Sequence, residues 1–340
     1  LILGLCLGGV YALMACGLSL VFGVMRIVNL AHPSLIIAGA FISYWCFTLF
    51  GIDPILSLPI SAAALFVIGI ILYKLVFEKE ARSAKYSEMT VLLTFAVAMV
   101  VDGALGTMFA NTQRVTSPGY ATDAFFFGEI FIPKGQLFAG IISIAIILGL
   151  IAFLRYTRLG YAIRATAQNR AAAELLGVNV NFVSLISFGI GVGLAGAAGS
   201  LVSFVFSFFP AKHWEWIAIL MSLVVLGGMG SVQGTVIAAF LLAVVSAFVG
   251  AYAGATWSTM TFFVALFAIR GPPHRADRAP RDAARRQQQL LSPHGALHAD
   301  VRRHGGELEH PRRLHGLRVA RPQRVLLHRR LRLRHDPRQD

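Results

Sequence analysis

The sequence predicts an all-α polytopic integral membrane protein, with about eight transmembrane helices and one or two interrupted or re-entrant segments. Three observations carry this. Hydrophobic residues make up 56% of the 340 residues and charged residues 14%, against about 25% charged in a soluble domain, and mean hydropathy is +0.69. The apolar residues fall into runs of about 20, the length a helix needs to cross a hydrocarbon core of about 30 Å. The charge is also segregated. Residues 1–269 hold 12 Lys+Arg and 9 Asp+Glu, whereas residues 270–340 hold 18 Arg, no Lys and 7 Asp+Glu. The overall net charge of +14 therefore belongs mostly to the last 71 residues. A soluble enzyme, a disulfide-rich secreted domain and a basic nucleic-acid domain are excluded as the main body.

In chain order the candidate spans are 1–24, 28–50, 54–77, 89–110, 136–154, 182–209, 217–229, 235–252 and 256–269. Run 217–229 is short and meets the glycine-rich stretch 227–234, so a half-helix or re-entrant segment is expected there. The final run of 14 residues would cover about 21 Å at the helical rise, too little to cross. Small residues recur at four-residue spacing, at Gly4/Gly8, Gly189/Gly193, Ala195/Gly199 and Gly250/Gly254. That spacing suits close helix approach in lipid. Basic residues orient the chain. Loop 78–88 carries Lys79, Arg82 and Lys85, and loop 155–181 carries Arg155, Arg158, Arg164 and Arg170. Both are expected in the cytoplasm together with Arg26, which leaves residue 1 and loop 111–135 outside.

Residues 270–340 are a different text. They use eleven residue types, omit Ile, Phe, Tyr, Trp, Met, Lys, Asn, Thr and Cys, and contain none of the 25 Phe. Such Arg/His/Pro-rich composition is what a GC-rich gene yields in the wrong frame, so this tail is read as a disordered frameshift product that leaves the last span incomplete. A basic arm for acidic lipid or nucleic acid and a plain solvated tail are the other readings. The chain begins at Leu1 inside an apolar run without a basic n-region, so it is read as truncated and not as a signal peptide.

Enzyme chemistry is not evident. The body's lysines, Lys74, Lys79, Lys85, Lys134 and Lys212, are followed by Leu, Glu, Tyr, Gly and His, which excludes a Gly-x4-Gly-Lys-Ser/Thr phosphate loop. Cys6, Cys16 and Cys46 lie in apolar spans at spacings that hold no zinc, and no metal site is expected. Three polar features stand inside the membrane. Asp102 sits mid-span, where a carboxylate costs on the order of 2.5–3.5 kcal/mol by insertion scales and must face a cavity or a partner. The stretch Asn29-Leu30-Ala31-His32-Pro33 interrupts an apolar run. Gly227, Gly228 and Gly230 do the same in the second half. Broken helices at membrane depth line cavities or are buried in protein, so Asn29, His32, Asp102, Gly227, Gly228 and Gly230 are the candidate solute path. Trp214-Glu215-Trp216 reads as an interfacial anchor.

Loop 155–181 is the most informative polar segment. Its Ala-rich stretch 162–176 has high helix propensity, and Gly177 is a natural stop. One short amphipathic cytoplasmic helix is expected, with Leu175 and Leu176 free to dock. It suits either a permease whose ATPase is another chain or a plain connector.

The run 11–13 (Tyr-Ala-Leu), the run 17–32 (Gly-Leu-Ser-Leu-Val-Phe-Gly-Val-Met-Arg-Ile-Val-Asn-Leu-Ala-His), loop 157–177 and the run 225–231 (Val-Leu-Gly-Gly-Met-Gly-Ser) together resemble the bacterial ABC-importer permeases of the branched-chain amino acid type, over residues 1–269. The resemblance implies transport of leucine, isoleucine and valine or related small solutes, urea and short amides among them. It implies a second homologous permease subunit, two cytoplasmic ATPase subunits that use the ATP, a periplasmic solute-binding protein and the bacterial plasma (inner) membrane. It implies no cofactor on this chain and no nucleic-acid partner. Ala171-Ala172-Ala173-Glu174-Leu175-Leu176-Gly177 is similar to the permease Glu-Ala-Ala-x3-Gly pattern, with Ala171 where Glu is typical. With Arg164 these are the expected ATPase-coupling residues. Pro33 stands where the family usually has Gly. A passive channel or ion-coupled secondary transporter for small polar solutes is the alternative.

Overall fold

A computed structural model describes residues 1–78, 86–127 and 130–268. Its helices are α1 (Ile2–Met25), α2 (His32–Phe50), α3 (Pro54–Leu72, prolonged by a π turn, Tyr73–Phe77), α4 (Tyr86–Phe109), α5 (Lys134–Tyr156), α6 (Arg158–Gln168), α7 (Arg170–Leu175), α8 (Val180–Val205), α9 (His213–Leu226), α10 (Val232–Ala253) and α11 (Ala255–Ala268). Seven are long and apolar enough to cross a membrane: α1, α2, α3 with its π turn, α4, α5, α8 and α10. The expectation of about eight differs by α9, whose 14 residues reach about 21 Å. An antiparallel hairpin, Ala124–Phe127 with Ile130–Pro133, stands before α5 in the stretch expected to be an outer loop. Lys79, Arg82 and Lys85, Ile269 and the tail 270–340 lie outside the described residues.

The bundle is organised around two helices. The apolar stretch of α8 is 83% buried and that of α1 78%, whereas that of α4 is 17% buried. α8 packs chiefly on α3, α2 and α1, and α1 on α10, α8 and α5. Lipid supplies no hydrophobic force between helices, so contact depends on close backbone approach and polar bonds. Glycines supply the approach. A Cβ on Gly39 would lie 2.8 Å from the Cα of Gly196, and one on Gly17 would lie 2.5 Å from the carbonyl oxygen of Gly191. Serines supply the bonds. Ser200 donates to Pro54 O at 2.6 Å, its Oγ lies 3.1 Å from Ser43 Oγ, and the Ser43 and Ser57 hydroxyls lie 2.7 Å apart. All three are fully buried and join α2, α3 and α8.

The ends of the elements follow local chemistry. Asp53 caps α3, its Oδ1 accepting from Ile55 N at 2.8 Å, with Pro54 in the first turn. Tyr120 donates to the same oxygen at 2.9 Å, and burial, with this bond and the Asp53 charge adding to it, raises its phenol above the ordinary range. Of the Trp214/Trp216 pair expected at the interface, Trp216 is buried beneath α9, and Trp214 is half-exposed against Phe95 and His213.

Candidate functional site: two helix breaks, an intramembrane pair and a basic-end helix pair

The first break is re-entrant. α1 ends at Arg26, in the left-handed region at φ 58°. The chain then turns back, because His32, the first residue of α2, donates from Nε2 to the carbonyl of Met14 at 3.0 Å. A carbonyl can only accept, so Nε2 carries the hydrogen and Nδ1 is a bare acceptor. Met14 lies eleven residues, about 16 Å, before the last residue of α1. The start of α2 is therefore near the middle of the bundle. Asn29 stabilises the turn by accepting from Ala31 N at 3.1 Å, and Thr94 of α4 donates to Val28 O at 3.2 Å. Asn29 and His32 are buried, which satisfies the demand that irregular backbone at this depth be enclosed by protein. Asn29 Nδ2, His32 Nδ1 and Ser34 Oγ, all buried here, have no partner among the described residues.

The second break joins α9 to α10. Gly228 and Gly230 have φ of 86° and 88°, a conformation that favours glycine. Gly227 closes α9, its N–H bonded to Leu223 O at 3.0 Å, and packs against the backbone of Thr235. Gly230 lies against Gly23 of α1. Ser231 caps α10 by accepting from Gly234 N at 3.1 Å, and Thr235 donates to Ser19 of α1 at 3.0 Å. The two breaks thus meet α1 at different stretches, Met14–Gly17 and Ser19–Gly23, and among the described residues no hydrogen bond links them to each other.

Asp102 stands apart from both. Its Oδ1 lies 3.6 Å from Nδ1 of the fully buried His213, which donates to Pro210 O at 2.9 Å. A carboxylate that the sequence left without a partner is thus beside an imidazole. No local pattern links residues 111 positions apart, so this pairing was not legible.

Arg26, Arg155 and Arg164 gather at one end. Arg26 donates from Nη2 to Ala167 O at 3.0 Å, tying the end of α1 to α6. The expected single helix over 162–176 is two. Asn169 ends α6 in extended backbone and caps α7, its Oδ1 accepting from Ala172 N at 3.1 Å. Asn competes with the backbone for hydrogen bonds and so favours caps over helix interiors; its place in the Ala-rich run was the available signal. Thr157 caps α6 in the same way at Gly160 N, 2.9 Å. Ile163 and Ala173 are buried against the body, and Gly177 ends the pair at φ 82°. Ala171 and Ala172 are exposed, and Glu174 lies 3.6 Å from Arg170 one turn earlier. Leu175 is 89% exposed and Leu176 83%, so two large apolar side chains project into the surroundings from a capped helix.

Between α6 and the bundle lies an open cavity of about 570 Å³, bounded by α1, α5, α6 and the start of α10. It brings Arg164 and Gly230, both candidate site residues in the sequence, into one lining with Arg155, Gln168, Ser231 and Gln233, which were not site candidates. No group of three or more His, Cys, Asp or Glu that could hold a metal occurs among the described residues.

Residues 1–269 match the family described as branched-chain amino acid transport system / permease component. The chain belongs to this family. Among its relatives, the permease resembles the high-affinity branched-chain amino acid transport system permease protein BraD of Pseudomonas aeruginosa, 28% identical over 73% of this chain and 84% of that protein. LivH of Escherichia coli K12, named as the same kind of permease protein, is 28% identical over 78% of this chain and 90% of its own length. LivM of the same organism is 26% identical over 69% of this chain and 60% of LivM. No solved structure matches the chain. With seven helices among the described residues long and apolar enough to cross a membrane, the permease is a multi-pass membrane protein.

Proposed function

We propose that the permease is the membrane-spanning subunit of an ABC importer, translocating branched-chain amino acids or related small solutes with ATP hydrolysed by separate subunits. Family membership supports the transport class. The observation that carries the coupling is the exposed Leu175–Leu176 pair, held on α7, which Asn169 caps and the buried Ala173 anchors, next to α6, which Arg26 and Ile163 fasten to the bundle. An apolar patch on a rigid support suits a partner groove better than water. On this reading two ATPase subunits dock at Arg164, Ala171, Ala172, Ala173, Glu174, Leu175, Leu176 and Gly177. A second homologous permease completes the pathway, in keeping with the match to both LivH and LivM. A periplasmic solute-binding protein delivers the solute, and the assembly resides in the bacterial plasma membrane with the arginine end in the cytoplasm.

ATP-driven closure of the ATPases displaces α6 and α7, and the bundle rocks between two packings. Asn29 and His32 at the re-entrant start of α2, Asp102 near His213, and Gly227, Gly228 and Gly230 at the second break are the groups that would meet the solute. A zwitterion needs dipoles and hydrogen-bond partners, and helix breaks supply both. The test is uptake of labelled leucine into vesicles holding the permease pair and ATPases. Uptake should require ATP, and Leu175→Asp with Leu176→Asp should abolish co-purification of the ATPase. Uptake persisting without ATP or ATPases would defeat the reading in favour of a channel or ion-coupled carrier.

A further inference from the structure

The lining of the basic-end cavity carries positive charge that no acidic side chain in it offsets. Its lining residues include Arg155 and Arg164 and no Asp or Glu. Neither arginine has a carboxylate within 4 Å among the described residues; each lies over a tyrosine ring instead, Arg155 over Tyr156 at 5.8 Å and Arg164 over Tyr161 at 4.8 Å. α10 opens onto the same space, with Ser231, Val232 and Gln233 in the lining, so the positive end of a 22-residue helix adds to the two guanidinium groups. The rest of the lining is apolar except for Gln168: Leu20 and Val24 of α1 and Leu154 of α5 are buried in the wall, and Ile151 of α5 and Val232 of α10 are partly exposed.

We propose that this cavity binds the phosphate headgroup of an anionic phospholipid. Arginine forks match phosphate oxygens, and basic pockets between membrane helices take such headgroups. The apolar part of the lining separates the lipid from free phosphate: a phospholipid lays glycerol and acyl carbons along the partly exposed Ile151 and Val232, whereas phosphate alone leaves them wet. A bound headgroup bridges α5 and α6 to the start of α10, so it braces the helix pair at the moving end. The inference rests on the membrane placement of the chain and is independent of which solute is carried.

The test is phospholipid retention by the full-length permease, purified in mild detergent from a mixture of phosphatidylglycerol and phosphatidylcholine. Phosphatidylglycerol should be retained with about tenfold preference. The preference should be lost in Arg155→Gln with Arg164→Gln and largely kept in Arg155→Lys with Arg164→Lys. Arg158→Gln, on the same helix but outside the lining, should keep it. Equal retention of the two lipids by the unsubstituted protein overturns the proposal, as does full retention in the glutamine variant. Inorganic phosphate binding to lipid-stripped protein as tightly as phosphatidylglycerol also overturns it, making the cavity a free-phosphate site. If the glutamine variant does not fold, the comparison of the two lipids on the unsubstituted protein and the lysine variant decide.

Discussion

A methyl group on Gly199 would run into the Ile36 carbonyl and the Ala40 amide nitrogen, so this residue, with the Gly39–Gly196 contact, sets how closely α8 approaches α2. Gly199→Ala should destabilise the bundle by about 1–3 kcal/mol through overpacking, read as a lower melting temperature in detergent. Gly149→Ala, where the added carbon meets nothing within 4 Å, should leave it unchanged or slightly raised. Ser200 sits one residue further along α8, and Ser200→Ala removes its bonds to Pro54 O and Ser43. The expected loss is about 1 kcal/mol. The spacing of Ala195 and Gly199 marked this surface in the sequence, but the partner helix and the other serines could not be read. Ser43, Ser57 and Ser200 lie on three separate segments, and a hydroxyl carries no sequence signal for which distant hydroxyl it will meet.

The coupling segment is decided at the scale of elements. A helix of six residues is not stable in isolation, because nucleation costs more than one turn returns; α7 exists because Asn169 caps it and Ala173 is buried against the body. Asn169→Ala should cost about 1 kcal/mol locally. Hydrogen exchange should then speed up at the amides of Ala172–Glu174 while the spanning helices keep their protection. At the opposite end, Tyr120 fastens the turn Gly119–Thr122 to the Asp53 cap of α3. Its phenol is raised in the fold, so the neutral form is the stabilised one. That contribution is present below the ordinary phenol range and is lost as pH rises through the folded value. Tyr120→Phe should therefore lower the melting temperature at neutral pH and flatten its fall at high pH.

For the whole molecule, the prediction is sidedness. Arg26, Arg155 and Arg164 lie at one end, and the hairpin and Tyr120 at the other. In a variant without Cys6, Cys16 and Cys46, Leu176→Cys should react with an impermeant thiol reagent only in inside-out vesicles, and Thr112→Cys only in right-side-out ones. The inverse labelling would reverse the orientation and remove the basis for ATPase docking at α7. The two-helix core also implies that substitutions on α1 and α8 are felt throughout the bundle, while those on the outward face of α4 are absorbed by lipid.

The sequence by itself determined the class, the number of long spans to within one, the position of both breaks and the stop at Gly177. Each is a local property: run length, charge, and the backbone preferences of Gly, Asn and Pro. The tertiary structure alone decided that the connection after Arg26 folds back to Met14, that Asp102 meets His213, that α1 and α8 are central, and that two arginines share a cavity with the start of α10. These are contacts between segments far apart in the chain. Helices that are apolar on every side carry no stripe to announce which face is buried; in lipid that choice is made by the glycines and hydroxyls that meet when the helices pack.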